Sequence, residues 1–151
     1  PGLVRHLPER GQAQIVQVLI DRECAVHCTD PDIKAAAART GAAIVRLGAA
    51  DHVFVGELTS NHILRELRLG SDLYPDDGAT LISDAKIGTG QSLRLTGPGC
   101  DGAVQVAIGG LPDGFWAERG QVMRYPMGFE MFLVDGAKVL GIPRSTTVEV
   151  L

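Results

Sequence analysis

The sequence has no apolar run that approaches the ~20 residues needed to span a bilayer, and no charged-then-apolar leader of the secretory kind. It has only three cysteines, Cys24, Cys28 and Cys100. An odd number does not suit a disulfide framework, so the expectation is cytoplasmic residence with reduced thiols. It has no run of like charge: its 14 Lys and Arg are scattered and the net charge is −4. That excludes the basic stripe of a nucleic-acid-binding surface, so neither nucleic acid nor membrane is an expected partner. Lysine is scarce. Lys34, Lys86 and Lys138 are the only three, and none has the setting of a Schiff-base lysine, so no pyridoxal phosphate (PLP) is expected. There is no G-x-x-x-x-G-K-[ST] loop, and Gly88-Thr89-Gly90 lacks the third glycine of a dinucleotide fingerprint. The chain starts at Pro1 without a methionine, which leads us to expect further residues upstream.

What is present is a 151-residue chain, 45% hydrophobic and 21% charged, without repeat, linker or low-complexity segment. We read residues 1–151 as one globular domain with room for a core. Residues 2–7 read as a short strand. Residues 12–22 read as a helix whose apolar stripe is Ile15, Val16, Leu19 and Ile20. Residues 24–28 read as a strand. Asp30-Pro31 is a helix start: the carboxylate caps the first free N–H groups and Pro31 loses nothing at the first helical position. Gly41 is the natural stop. Strands are predicted at 43–47 and 52–56, and a short helix near Asn61. The second half reads as more β-rich. Runs at 79–84 and 91–96 are joined by a Gly88-Thr89-Gly90 turn, an extended segment covers 102–108 and a short helix 113–119. Strands at 129–134 and 138–142 meet through the hairpin signal Asp135-Gly136. Pro143 stops that ladder and the tail from Thr147 is extended. The pattern predicts an α/β domain with a mixed sheet flanked by helices on both faces.

Few residues carry obvious chemistry. Cys24-Ala-Val-His27-Cys28 has metal-ligand types, but in a strand the cysteines and His27 face opposite ways and no second cluster completes a zinc site; we expect no metal. Ser83-Asp-Ala-Lys86 matches S-x-x-K, yet lies where a strand is expected rather than on a helix, so the match reads as coincidence. Asp51-His52 and Asn61-His62 are adjacent pairs whose side chains should diverge. Pro143-Arg144-Ser145-Thr146-Thr147 admits two readings. An arginine fork beside three hydroxyls suits a phosphate or carboxylate, with Arg144, Ser145 and Thr146 as the anion-binding residues. The other, which the residues alone favour, is a strand entry in which Arg144 ties the C-terminal segment to a carboxylate such as Glu130 or Glu149.

Tyr125-Pro-Met-Gly-Phe-Glu130 and Gly141-Ile-Pro-Arg-Ser-Thr-Thr-Val-Glu-Val150 resemble the C-terminal signature of the H subunit of the bacterial carbon–phosphorus lyase system, the PhnH family. The matching positions are Tyr125, Pro126, Gly128, Pro143, Arg144, Thr146, Val148 and Glu149. Gly78-Ala-Thr-Leu-Ile82 and Leu93-Arg-Leu-Thr-Gly-Pro-Gly99 add a second match, and Pro1-Gly2 resembles the family's Pro-Gly after an N-terminal helix. The resemblance implies a fold similar to the large domain of PLP-dependent transferases with the cofactor site lost. It implies a homodimer that joins the G, I and J subunits in a core complex. It also implies a role in phosphonate catabolism, where an alkylphosphonate replaces the adenine of ATP to give ribose 1-methylphosphonate 5-triphosphate; a phosphonate or nucleotide is the implied ligand. The family assigns no catalytic residue to carry over. Two rivals are a pure assembly subunit and a stand-alone enzyme reusing the fold.

Overall fold

The computed structural model describes residues 4–8 and 11–151. Among these, the chain runs β1 (Val4–His6), α1 (Gln12–Leu19), β2 (Ala25–Cys28), α2 (Pro31–Arg39), β3 (Ala43–Ile44), β4 (His52–Glu57), α3 (Ile63–Glu66), β5 (Thr80–Asp84), β6 (Lys86–Thr96), β7 (Ala103–Gly109), α4 (Phe115–Val122), β8 (Glu130–Asp135), β9 (Lys138–Ile142) and β10 (Thr147–Val150). A seven-stranded sheet has the order β1-β9-β8-β5-β4-β2-β3, and a three-stranded sheet has the order β10-β6-β7. In the large sheet β3, β2, β4, β5 and β8 are parallel, while β9 and β1 close one edge antiparallel. The α/β class with a mixed sheet is therefore as expected.

Side-chain alternation sends each central strand's apolar residues to two cores. Phe54, Ile82 and Val134 pack under Ile15, Val16 and Ala37 of α1 and α2. Val53, Val55, Leu81, Met131 and Leu133 face the other way, toward Leu64 of α3, Phe115 and Trp116 of α4, and Leu93, Leu95 and Ile108 of the small sheet. The second face is thus covered by two short helices together with a separate antiparallel sheet, where helices alone were expected.

That difference traces to Gly88-Thr89-Gly90, which does not join two strands of one sheet. It lies inside β6, where the register against β7 slips between Ile87 and Gln91. Gly88 and Gly90 have φ of +98° and +94°. A Cβ on Gly90 would stand 2.5 Å from the Gly109 Cα. Positive-φ glycines serve bulges as well as turns, and the sequence does not say which. Ala85 alone separates β5 from β6 and so moves the chain from one sheet to the other.

Two boundaries fall short of expectation. Helix α1 ends at Leu19 because Asp21 takes the Glu23 N–H on its own Oδ1 at 2.8 Å, and this local bond competes with a further helical turn. Strand β3 ends at Ile44, and a 3₁₀ turn over Leu47–Ala49 takes up the remainder. The part of the first predicted strand at residues 2–3 lies outside the described residues. No described helix is long and apolar enough to cross a membrane.

Helix α2 is built as its sequence dictates. Asp30 Oδ1 accepts from Asp32 N at 2.7 Å and Ile33 N at 3.3 Å, and Gly41 takes the left-handed conformation after Thr40. Asp30→Ala removes that cap and is expected to lower stability by about 1 kcal/mol, read from the midpoint of a urea melt. An unchanged midpoint would mean the cap contributes nothing.

Candidate functional site

The last strand of the large sheet's hairpin, β9, ends at Ile142, and β10 begins at Thr147 in the small sheet. Between them Pro143–Thr146 turns back on itself, with Thr146 N donating to Pro143 O at 3.0 Å. The same two residues are gripped from α4. Arg119 donates from Nη2 to Pro143 O at 3.0 Å and from Nη1 to Thr146 O at 3.1 Å. Arg119 is 3% exposed. It shares the inner face of α4 with Phe115, Trp116 and Val122, and the Phe115 and Trp116 rings meet edge to face at 5.0 Å.

A guanidinium in this position is unusual, since buried charge is ordinarily paired with a carboxylate. Among the described residues no carboxylate oxygen lies within ion-pair distance of Arg119. Burial pushes its pKa down to about 10, opposed by the field of Glu130, so it remains charged at neutral pH. Its Nε and the Oγ1 of Thr146, itself 3% exposed, are buried without a hydrogen-bond partner among the described residues. A cleft of about 520 Å³ lies against this turn, lined by Trp116, Arg119, Met123, Tyr125, Thr146 and Val148 among others.

The structure gathers Arg144, Ser145 and Thr146 on this turn, but Arg144 has protein partners. Its backbone N–H donates to Glu130 Oε2 at 2.8 Å, Nη1 to Pro75 O at 3.0 Å, and Nη2 to Asp76 Oδ1 at 2.6 Å, with Glu130 Oε1 3.5 Å from Nη1. This is the tie to Glu130. Glu149 takes no part; it lies 3.9 Å from Arg94 across the small sheet. Beside the turn, Gly128 N donates to Leu69 O at 2.9 Å, and a Cβ on Gly78 would stand 2.2 Å from Gly128 O, so these two loops pack backbone on backbone. Tyr125, preceding a cis proline at Pro126, stands 71% exposed at the rim.

Arg119 was missed at the sequence level. The signal was its spacing: at i+4 from Phe115 and i+3 from Trp116 it shares their apolar face.

A second cleft, of about 450 Å³, opens at the carboxyl ends of β4, β5 and β8, where ligands of open parallel sheets commonly sit. Glu57, Asp84, Lys86 and Asp135 line it, and Gln12 donates to Asp84 Oδ1 at 2.9 Å and Val55 O at 2.6 Å. Three carboxylates against one exposed lysine make it the wrong sign for an anionic ligand. Ser83 and Lys86 sit on different strands here, with Ser83 buried and bonded to backbone carbonyls, so S-x-x-K forms no helical pair.

His27, His52, Cys24 and Cys28 have local partners or settings. His27 Nδ1 lies 3.0 Å from Val45 O. Asp51 and His52 do meet, Oδ1 to Nδ1 at 2.7 Å, against the expectation that adjacent side chains diverge. Cys24 lies within 4.8 Å of both, but Asp51 Oδ2 already accepts the Ala25 N–H at 3.0 Å and so locks the strand edge. Burial pushes the Cys28 thiol up to about 11, which leaves it inert at neutral pH. Asn61 donates to Asp113 O, joining the loop before α3 to the start of α4.

A family model described as bacterial phosphonate metabolism protein (PhnH) matches residues 4–149. The chain belongs to the PhnH family. Two relatives agree with this. A Stutzerimonas stutzeri protein named as a C-P lyase subunit protein, HtxG, is 31% identical over 158 residues, which is 98% of this chain and 78% of that protein. The alpha-D-ribose 1-methylphosphonate 5-triphosphate synthase subunit PhnH of Rhizobium meliloti (strain 1021) is 34% identical over 88 residues, 56% of this chain and 43% of that one. The PhnH resemblance read from residues 125–150 is therefore correct, and those residues frame the turn gripped by Arg119.

The two carboxylates on Arg144 are expected to differ in worth. Glu130→Ala leaves a half-buried guanidinium and a backbone N–H short of their acceptor and should lower stability by about 1–3 kcal/mol. Asp76 is 92% exposed at its side chain, and Asp76→Ala should change stability by less than about 1 kcal/mol. Thermal melts of the two variants decide it, and equal losses would contradict the arrangement.

Proposed function

We propose that the chain is a non-autonomous subunit of a carbon–phosphorus lyase complex, acting with partner subunits to transfer an alkylphosphonate to the ribose of ATP. In that reaction a phosphonate oxygen bonds to ribose C1′. The C1′–N9 bond breaks, and adenine leaves with the bonding pair and takes up a proton. The product is the ribose 1-phosphonate 5-triphosphate. The observation that carries this reading is the match to relatives named for C-P lyase subunits, one of them for the synthase itself.

The partners in this reading are a second copy of the chain and the G, I and J subunits, in the cytoplasm. Exposed Leu73, Tyr74 and Tyr125 offer apolar surface for such contacts, and free Cys24, Cys28 and Cys100 suit a reducing compartment. The parallel core of the sheet supports the proposed likeness to the large domain of PLP-dependent transferases.

Reconstitution tests the role. The partner subunits, given ATP and methylphosphonate, should release adenine only when this chain is added. Release at the same rate without it would overturn the reading and leave an assembly role. We also propose that no PLP is held, because Lys34, Lys86 and Lys138 are all exposed and a Schiff-base lysine needs a sheltering site. Incubation with PLP should give no stoichiometric aldimine absorbance. A band abolished by Lys86→Ala or Lys138→Ala would contradict this.

A further inference from the structure

The cleft beside the Pro143–Thr146 turn has a composition that the subunit role does not explain. Its lining holds two guanidinium groups, Arg119 and Arg144, and the hydroxyls of Tyr125, Ser145, Thr146 and Thr147, but no carboxylate. The charge of Arg144 is balanced by Glu130 and Asp76. That of Arg119 is balanced by nothing in direct contact, since Pro143 O and Thr146 O are neutral carbonyls. The rest of the lining is largely apolar, with Pro98, Trp116, Met123 and Val148. Of the lining residues, Arg119 has an Nε proton to donate and Thr146 an Oγ1 that can donate or accept, and both atoms are buried without partners among the described residues.

We infer that this cleft binds a small oxyanion carrying an apolar substituent, with Arg119 and Thr146 as its anchors. An oxygen of the ligand accepts from Arg119 Nε and from the Thr146 hydroxyl, which satisfies both orphaned groups at once and brings a negative charge to an unneutralised guanidinium. The substituent lies along Trp116 and Val148. Both anchoring atoms are sealed from solvent, so access requires a wall side chain to rotate. Met123, unbranched and half-buried, is suited to that. The acidic cleft at the sheet's carboxyl edge is excluded for the same ligand by its sign. This inference concerns binding by the chain itself and does not depend on the complex's reaction.

The test is calorimetry on the full chain with methylphosphonate and with inorganic phosphate, wild type against Thr146→Val and Arg119→Lys. Wild type should bind methylphosphonate more tightly than phosphate, because only the former has an apolar group for the Trp116 wall. Thr146→Val keeps the shape and deletes an unsatisfied hydroxyl. It should melt no lower than wild type yet bind methylphosphonate about tenfold more weakly or worse, the loss of one charge-assisted hydrogen bond. Arg119→Lys should lose binding and also melt lower, because the grip on the turn goes with it. No heat from either anion at millimolar concentration would overturn the inference. So would a Thr146→Val protein that binds like wild type, or a crystal grown with methylphosphonate that shows an interior water only between Arg119 and Thr146. Adenine release by the reconstituted complex is read separately, so either idea can fail alone.

Discussion

The turn from Pro143 to Thr146 carries the chain from the large sheet to the small one, and its two end carbonyls are both held by the buried guanidinium of Arg119. Much else depends on that grip. Strand β10 pairs with β6 from Thr147↔Thr96 to Val150↔Leu93, so its register follows from where the turn releases it. Helix α4, which supplies Arg119, is fixed in turn by Phe115 and Trp116 in the core between the sheets. An arginine suits this task because its planar fork meets two carbonyls in fixed geometry, which an ammonium does not. A buried charge without a carboxylate is costly to fold around. It is tolerated here because the carbonyls and the field of Glu130 offset part of the desolvation.

A second layer of contacts surrounds this grip. Arg144 leaves the turn in the other direction and joins Glu130 at the start of β8 to Pro75 and Asp76 in the loop before β5. The Tyr125–Gly128 loop lies against that same loop through the Leu69–Gly128 bond and the close approach of Gly78. Residues of Tyr125–Gly128 and Pro143–Thr146 thus join two sheets and two loops at one corner. Arg144 is structural in this arrangement, and Arg119 is the cation whose charge stays unbalanced.

Much of the fold was legible because short-range chemistry decided it. Asp30-Pro31 announced α2, Asp135-Gly136 announced the β8–β9 hairpin, and Pro143 ended it. What misled was chemistry with two structural uses. Glycines at 88 and 90 serve a bulge as readily as a turn, so one β6 strand read as a turn and a strand, and the small sheet went unseen. Of the candidate site, the turn was legible: Arg144, Ser145 and Thr146 share it, because a proline-stopped strand followed by hydroxyls is a local pattern. Whether Arg144 met Glu130 or Glu149 depended on which strands became neighbours, which is long-range information. Arg119 stood in a helix whose inner face was not identified, and nothing near it in sequence names Pro143 and Thr146 as partners.

The claim that Arg119 couples the two sheets through the turn is tested most directly by amide hydrogen exchange on wild type and Arg119→Met. The account predicts that exchange of residues 147–150 and their β6 partners 93–96 speeds up by about tenfold or more, while the β2, β4 and β5 amides keep their protection. Protection lost evenly across the large sheet, or retained throughout β10, would contradict it.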